Sequence, residues 1–236
     1  NLKKTYKDCV ALDTVSMHIR KGEFVAIIGA SGSGKTTLIK LMLGYYPVSE
    51  GAIMVSGKNI NEYNLKWWRR CCGVVMQDGV IFSESIARNI AVGDSEVDIA
   101  RLEQAARIAC IHDYILSLPL KYNTKIGRDG VGLSQGQKQR ILIARAVYKN
   151  PVFIFLDEAT NSLDAKNERE IVENLDDFYK GRTVVVVAHR LSTVKNADQI
   201  VVIDSGKVVE KGTHTELIEK QGGYFNLVKN QLELGN

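Results

Sequence analysis

Along this chain apolar residues fall into short blocks whose length and period separate strands from helices. Phe24-Val25-Ala26-Ile27-Ile28, Val152-Phe153-Ile154-Phe155-Leu156 and Val184-Val185-Val186-Val187-Ala188 are apolar without alternation, the pattern of strands covered on both faces. Gly73-Val74-Val75-Met76 is strand-like and ends in the polar pair Gln77-Asp78, and Gly51 to Gly57 reads as a strand ending in a turn. Residues 1–23 predict short β segments with a turn at Lys21-Gly22. Helical spacing is predicted for Leu38 to Leu43, for Leu65 to Arg70, and from about Ala165 to Phe178. Of the adjacent indoles Trp67 and Trp68, one is expected buried and one partly exposed. From Phe82 to Leu118 the period of Val97, Leu102, Ala105, Ala106 and Ala109 predicts a helical insertion. A polar connection from Pro119 to Gly132 leads to a helix running from Leu133 to about Tyr148. Gln199 to Asp204 and Lys207 to Gly212, around Ser205-Gly206, predict a hairpin followed by two helices.

Composition narrows the picture without deciding it. With 236 residues, 45% of them hydrophobic, the chain can bury a substantial core as one domain or two lobes. A net charge of +4 does not call for nucleic acid and suits a polyanionic nucleotide. Cys9, Cys71, Cys72 and Cys110 lack metal-binding spacing and are expected to be reduced packing residues in a cytosolic protein. No apolar run approaches the ~18 residues of a membrane span, and no signal peptide is seen. The chain opens at Asn1 without an initiator Met, so a fragment of something longer is expected.

The chemistry concentrates after the first buried strand. Gly29-Ala30-Ser31-Gly32-Ser33-Gly34-Lys35-Thr36-Thr37 has the phosphate-loop spacing in the strand-to-helix context that spacing requires. Glycines at 29, 32 and 34 let successive amides point inward at phosphate oxygens, and the helix start adds a favourable dipole. Lys35 supplies a point charge for the outer phosphates, and the Thr36 hydroxyl is placed to reach a magnesium ion. Asp157-Glu158 follows a buried strand, where two carboxylates are costly unless they meet a cation or a proton. Asp157 is the expected holder of the same magnesium, directly or through water, and Glu158 the expected acceptor of a proton from an attacking water. Gln77 can ligate magnesium, position a water or merely cap a loop. Ser134 can cap its helix or offer a second phosphate site. Tyr6 can stack on a purine or simply pack, and His189, at a strand end, can sense the γ-phosphate or be structural.

Taken together, these residues resemble the nucleotide-binding domain of the ATP-binding-cassette (ABC) transporters nearly end to end. The selective stretch is Leu133-Ser134-Gln135-Gly136-Gln137, similar to the family signature Leu-Ser-Gly-Gly-Gln and departing from it at Gln135. The resemblance implies an α/β fold: a P-loop NTPase (RecA-like) core with an N-terminal antiparallel β subdomain and an inserted α-helical signature subdomain. The RecA-like and β lobe would cover about 1–80 and 150–236, and the helical lobe about 81–149. It implies ATP and Mg2+ as cofactors, with adenine stacked on Tyr6 and phosphates held by Gly29 to Thr37. Magnesium contacts would come from Thr36, Gln77 and Asp157, the general base would be Glu158, and the switch residue His189. Ser134, with Gly136 and Gln137, would meet the γ-phosphate of ATP held by a second copy, and Ser162-Leu163-Asp164 would communicate across that interface. The partners so implied are a second copy in a head-to-tail dimer around two ATP and a transmembrane domain of the same polypeptide that handles the exported substrate.

Phe82 to Ile90, Thr124 to Gly130 and Ala188-His189-Arg190-Leu191-Ser192 are similar to exporter cassettes fused behind six membrane helices, which implies the cytoplasmic face of a cell membrane. The N-terminal strand then looks clipped at Asn1, and overall similarity favours bacterial peptide export. A soluble ABC ATPase acting on nucleic acid or ribosomes is the alternative, but such relatives carry two cassettes or a long coiled-coil insertion. A non-catalytic regulator would be expected to lack Glu158 or His189, and a small-molecule kinase leaves 133–137 unexplained.

Overall fold

The computed structural model describes residues 1–7, 9–159, 165–188 and 191–234. In chain order its elements are β1 (Leu2–Tyr6), β2 (Cys9–Val15), β3 (Phe24–Ile28), α1 (Lys35–Met42), β4 (Met54–Val55), β5 (Lys58–Asn59), α2 (Leu65–Cys71) and β6 (Cys72–Val75). They continue as α3 (Ile86–Ile90), α4 (Ile99–Ile108), α5 (His112–Ser117), α6 (Gln135–Tyr148), β7 (Phe153–Asp157) and α7 (Ala165–Tyr179). The chain closes with β8 (Thr183–Val187), α8 (Leu191–Val194), β9 (Gln199–Asp204), β10 (Lys207–Gly212), α9 (His214–Lys220) and α10 (Gly223–Leu234). Two compact units result: Asn1–Cys72 with Thr183–Asn236, and Gly73–Arg182.

In the first unit β3 pairs in parallel with both β8 and β9, and β10 runs antiparallel to β9. Val25, Ala26 and Ile27 are fully buried, as the unbroken apolar run requires of a central strand. β1 and β2 form an antiparallel hairpin, and β9 and β10 form the other where the Ser205-Gly206 turn predicts it. Trp68 is buried and donates its indole N–H to the Met42 carbonyl at 3.0 Å, whereas Trp67 is exposed and stacks on Tyr63. The strand expected over 51–57 is cut down to Met54–Val55. Ser56 and Gly57 both adopt positive φ and fold the chain straight back onto Lys58–Asn59, which leaves no length for a longer strand.

In the second unit β6 and β7 are neighbours, and α6 packs against α3 and α4. The block from 82 to 118 is helical as expected, but divided into α3, α4 and α5. Ser85 and Asp98 cap the first two, their side chains accepting from Arg88 N and Arg101 N. The cysteines depart from expectation at one position: Cys9 is exposed rather than packed, because the outer residues of β2 face solvent.

Candidate functional site

The phosphate loop is shaped by what surrounds it in the first unit. Gly29 has φ 152°, and a β-carbon there would lie 2.0 Å from the Ile203 carbonyl oxygen of β9. Gly34 has φ 105°, and a β-carbon there would lie 2.6 Å from the Ala11 carbonyl oxygen of β2. Both glycines are therefore required by packing as well as by φ. Gly32 differs: its φ is 78°, but nothing stands within 4 Å of where a β-carbon would be, so the space beside it is open. The turn between β9 and β10 braces the loop, Gly206 N donating to the Ser33 carbonyl at 3.0 Å. Sequence reasoning passed over this support, since nothing in Ser205-Gly206 marks more than a turn.

Lys35 starts α1 and is buried, its ammonium donating to the carbonyls of Gly29 at 2.8 Å and Ala30 at 2.7 Å. The charge is thereby folded back over the loop it is expected to serve. The Ser33 hydroxyl is buried with no hydrogen-bond partner among the described residues, an arrangement a phosphate oxygen would satisfy. Open space at Gly32, a waiting hydroxyl and a loop-bound lysine all fit a nucleotide triphosphate. Ser31 is exposed, and Thr36 and Thr37 are half-buried at the head of α1. Burial and the neighbouring Tyr46 raise the Tyr6 hydroxyl above the usual phenol range, with Thr37 pulling more weakly the other way.

The second unit carries the other candidates. Asp157 ends β7 fully buried, and Glu158 follows at φ 53°, a left-handed conformation costly for a residue with a β-carbon. The chain leaves the strand abruptly there, so consecutive carboxylates differ in setting, one buried and one half-exposed. Gln77 lies exposed in the turn after β6. Within this unit the Gln77 amide oxygen and the Asp157 carboxylate are hard oxygen donors, the kind magnesium takes.

Ser134 is the N-cap of α6. Its hydroxyl accepts from Gln137 N at 3.2 Å while Gln137 Oε1 accepts from Ser134 N at 2.8 Å, a reciprocal capping box. Ser134 and Gln135 are exposed and Gly136 half-buried, so the helix start is both preformed and accessible. His189 and the loop Ser162-Leu163-Asp164 lie outside the described residues.

One assembly in this unit had no sequence signal. Asn89 is fully buried; its Oδ1 accepts from Phe82 N at 2.8 Å and Arg145 Nη2 at 3.2 Å, and its Nδ2 donates to the carbonyls of Phe82, Glu84 and Ser85. Arg145 also donates to the carbonyls of Asn89 at 2.7 Å and Val80 at 2.9 Å and lies over the Phe82 ring. Burial lowers its pKa to about 10, which leaves it charged at neutral pH. The bracket holds Val80 and Phe82 on the surface, 61% and 46% exposed.

Residues 12–161 match the family described as ABC transporter. The chain belongs to the ABC transporter family. It is an ATP-binding, ATP-hydrolysing motor domain of that family, with the α/β fold such domains share. It is 45% identical over 225 residues to the ATP-dependent lipid A-core flippase of Saccharophagus degradans, covering 95% of this chain and 38% of that protein. It is 44% identical over 223 residues to the leukotoxin translocation ATP-binding protein of Mannheimia haemolytica, covering 94% of this chain and 31% of the relative. A bacterial Atm1-family ABC exporter solved with ATP bound superposes with a TM-score of 0.93 at 38% identity, over 98% of this chain and 41% of that one. The ABC domain thus spans about two fifths or less of the relatives it matches. No helix among its described residues is long and apolar enough to cross a membrane.

Proposed function

We propose that this ABC domain is the motor of an exporter, working as two copies arranged head to tail around two ATP molecules. Tyr6 carries the adenine, Gly29 to Thr37 cradle the phosphates, and Thr36, Gln77 and Asp157 hold Mg2+. When bound, ATP supplies a γ-phosphoryl group for transfer to water. Lys35 offsets charge on the outer phosphates, Glu158 takes the proton of the attacking water, and His189 acts as the switch residue. The partner copy contributes Ser134, Gly136 and Gln137, and Asp164 links the two copies. The observation that carries this reading is Ser134 itself. A second helix start, exposed and already capped, sits in the compact unit that does not hold the phosphate loop, which is what a shared site needs.

Coupling to a transmembrane domain of the same polypeptide would pass through the segment from Gln77 to Ile90, whose exposed Val80 and Phe82 are held rigid by Asn89 and Arg145. The domain would then lie on the cytoplasmic face of the membrane, with cargo selected by the membrane part. The relatives are named for lipid A-core flipping and leukotoxin translocation, which favours transport over a soluble role on nucleic acid or ribosomes. Glu158→Gln tests the chemistry: ATP affinity should persist while turnover falls about 10²- to 10⁴-fold. Lys35→Ala should instead weaken titrated ATP. Parent-rate hydrolysis by Glu158→Gln removes the general base from this account.

A further inference from the structure

Side chains of β1 alternate, and Leu2 and Lys4 are the buried pair, at 5% and 8% exposure. A lysine thus occupies a position where the strand pattern calls for an apolar residue. Pairing with β2 is irregular on both sides of it, between Leu2 and Lys4 and between Lys4 and Thr5, the kind of bulge that re-aims a side chain. The partners of its ammonium are a carbonyl and two phenol rings rather than a carboxylate. Nζ donates to the Pro47 carbonyl at 2.7 Å, lies over the Tyr6 ring 4.8 Å from its centroid, and stands 6.0 Å from the Tyr46 centroid. Tyr46 meets Tyr6 edge to face, centroids 5.9 Å apart and planes at 89°. The segment carrying Tyr46 and Pro47 is itself fastened to β1: Ser49 N donates to the Lys3 carbonyl at 2.9 Å, Ser49 Oγ accepts from Thr5 N at 3.0 Å, and Lys3 pairs with Glu50 at 3.1 Å.

Resting on the assignment of Tyr6 as the adenine platform, we propose that Lys4, braced by Tyr46, is a positioning residue for base recognition. A desolvated cation over an aromatic face attracts it strongly. An exposed ring at a hairpin end would otherwise sample several rotamers and lose that freedom when a purine lands on it. Lys4 and Tyr46 remove the freedom beforehand and leave the ring 38% exposed for the base. Lys4 therefore contributes to the base-dependent part of ATP affinity and not to the phosphate-dependent part.

Calorimetric titration of the chain with ATP and, separately, with inorganic tripolyphosphate distinguishes the two parts. Lys4→Met keeps length and removes charge; ATP should bind about three- to tenfold more weakly, with tripolyphosphate unchanged. Lys4→Arg should restore most of the ATP affinity, which a purely structural role would not predict. Equal weakening of both ligands in Lys4→Met would overturn the proposal as general damage to the fold. Parent affinity for ATP in Lys4→Met beside weakened ATP in Tyr6→Ala would overturn the role of Lys4 while sparing the platform. Parent affinity in Tyr6→Ala would remove the platform and the proposal with it.

Discussion

Ser134 has an observed role as a cap and a proposed one as a ligand, and substitution can separate them. As an N-cap it accepts one backbone hydrogen bond at 3.2 Å, and glycine is a tolerable cap, so Ser134→Gly should cost only a few tenths of a kcal/mol, about 1 °C or less in thermal midpoint for a chain of this size. As the proposed ligand to a partner's phosphate it would make a bond to a charged group, about 1.5–3 kcal/mol, so ATP turnover should drop roughly 10- to 100-fold. Turnover within twofold of the parent, measured beside an unchanged melting curve, would reduce Ser134 to a cap. The residue was legible in the sequence because serine three positions before glutamine opens an apolar helical run. Lys4 was not legible, since a lysine in an edge hairpin reads as solvated until the bulge and the two tyrosines are seen together. The strain at Glu158 was equally hidden; the acidic pair could be read, but not the left-handed turn between its members.

At the scale of elements, buried strands and the terminal hairpin follow from local pattern alone. Phe24–Ile28, Gln199–Asp204 and Lys207–Gly212 fall where their apolar runs and turn residues put them. Pattern fails where a long-range clamp decides the path. The chain from Val80 to Ile90 is held by a buried amide and a guanidinium some 56 positions away, and no local feature announces that. Asn89→Ala would strand the Phe82 amide and several carbonyls in a water-poor site, a cost of about 3 kcal/mol. For a chain of this size the thermal midpoint should fall by roughly 6–12 °C. A fall of less than 2 °C, read by calorimetry, would mean that the bracket is not holding the segment.

Across the whole chain, phosphate loop and signature helix belong to different compact units, so no stretch of local sequence contains both. The resemblance implies what local pattern does not: a partner copy, a membrane domain and the ATP-driven association of two motors. Two weakly associating domains gain greatly from being tethered, so the isolated chain should be studied at high concentration. The direct measurement is sedimentation velocity of Glu158→Gln with Mg-ATP, alone and combined with Ser134→Glu, with bound nucleotide recorded in the same run. Glu158→Gln should sediment as a dimer only when ATP is present, and the double variant should stay monomeric with ATP still bound. Equal dimerisation of both variants, or of Glu158→Gln without nucleotide, would contradict a site completed by the neighbouring copy.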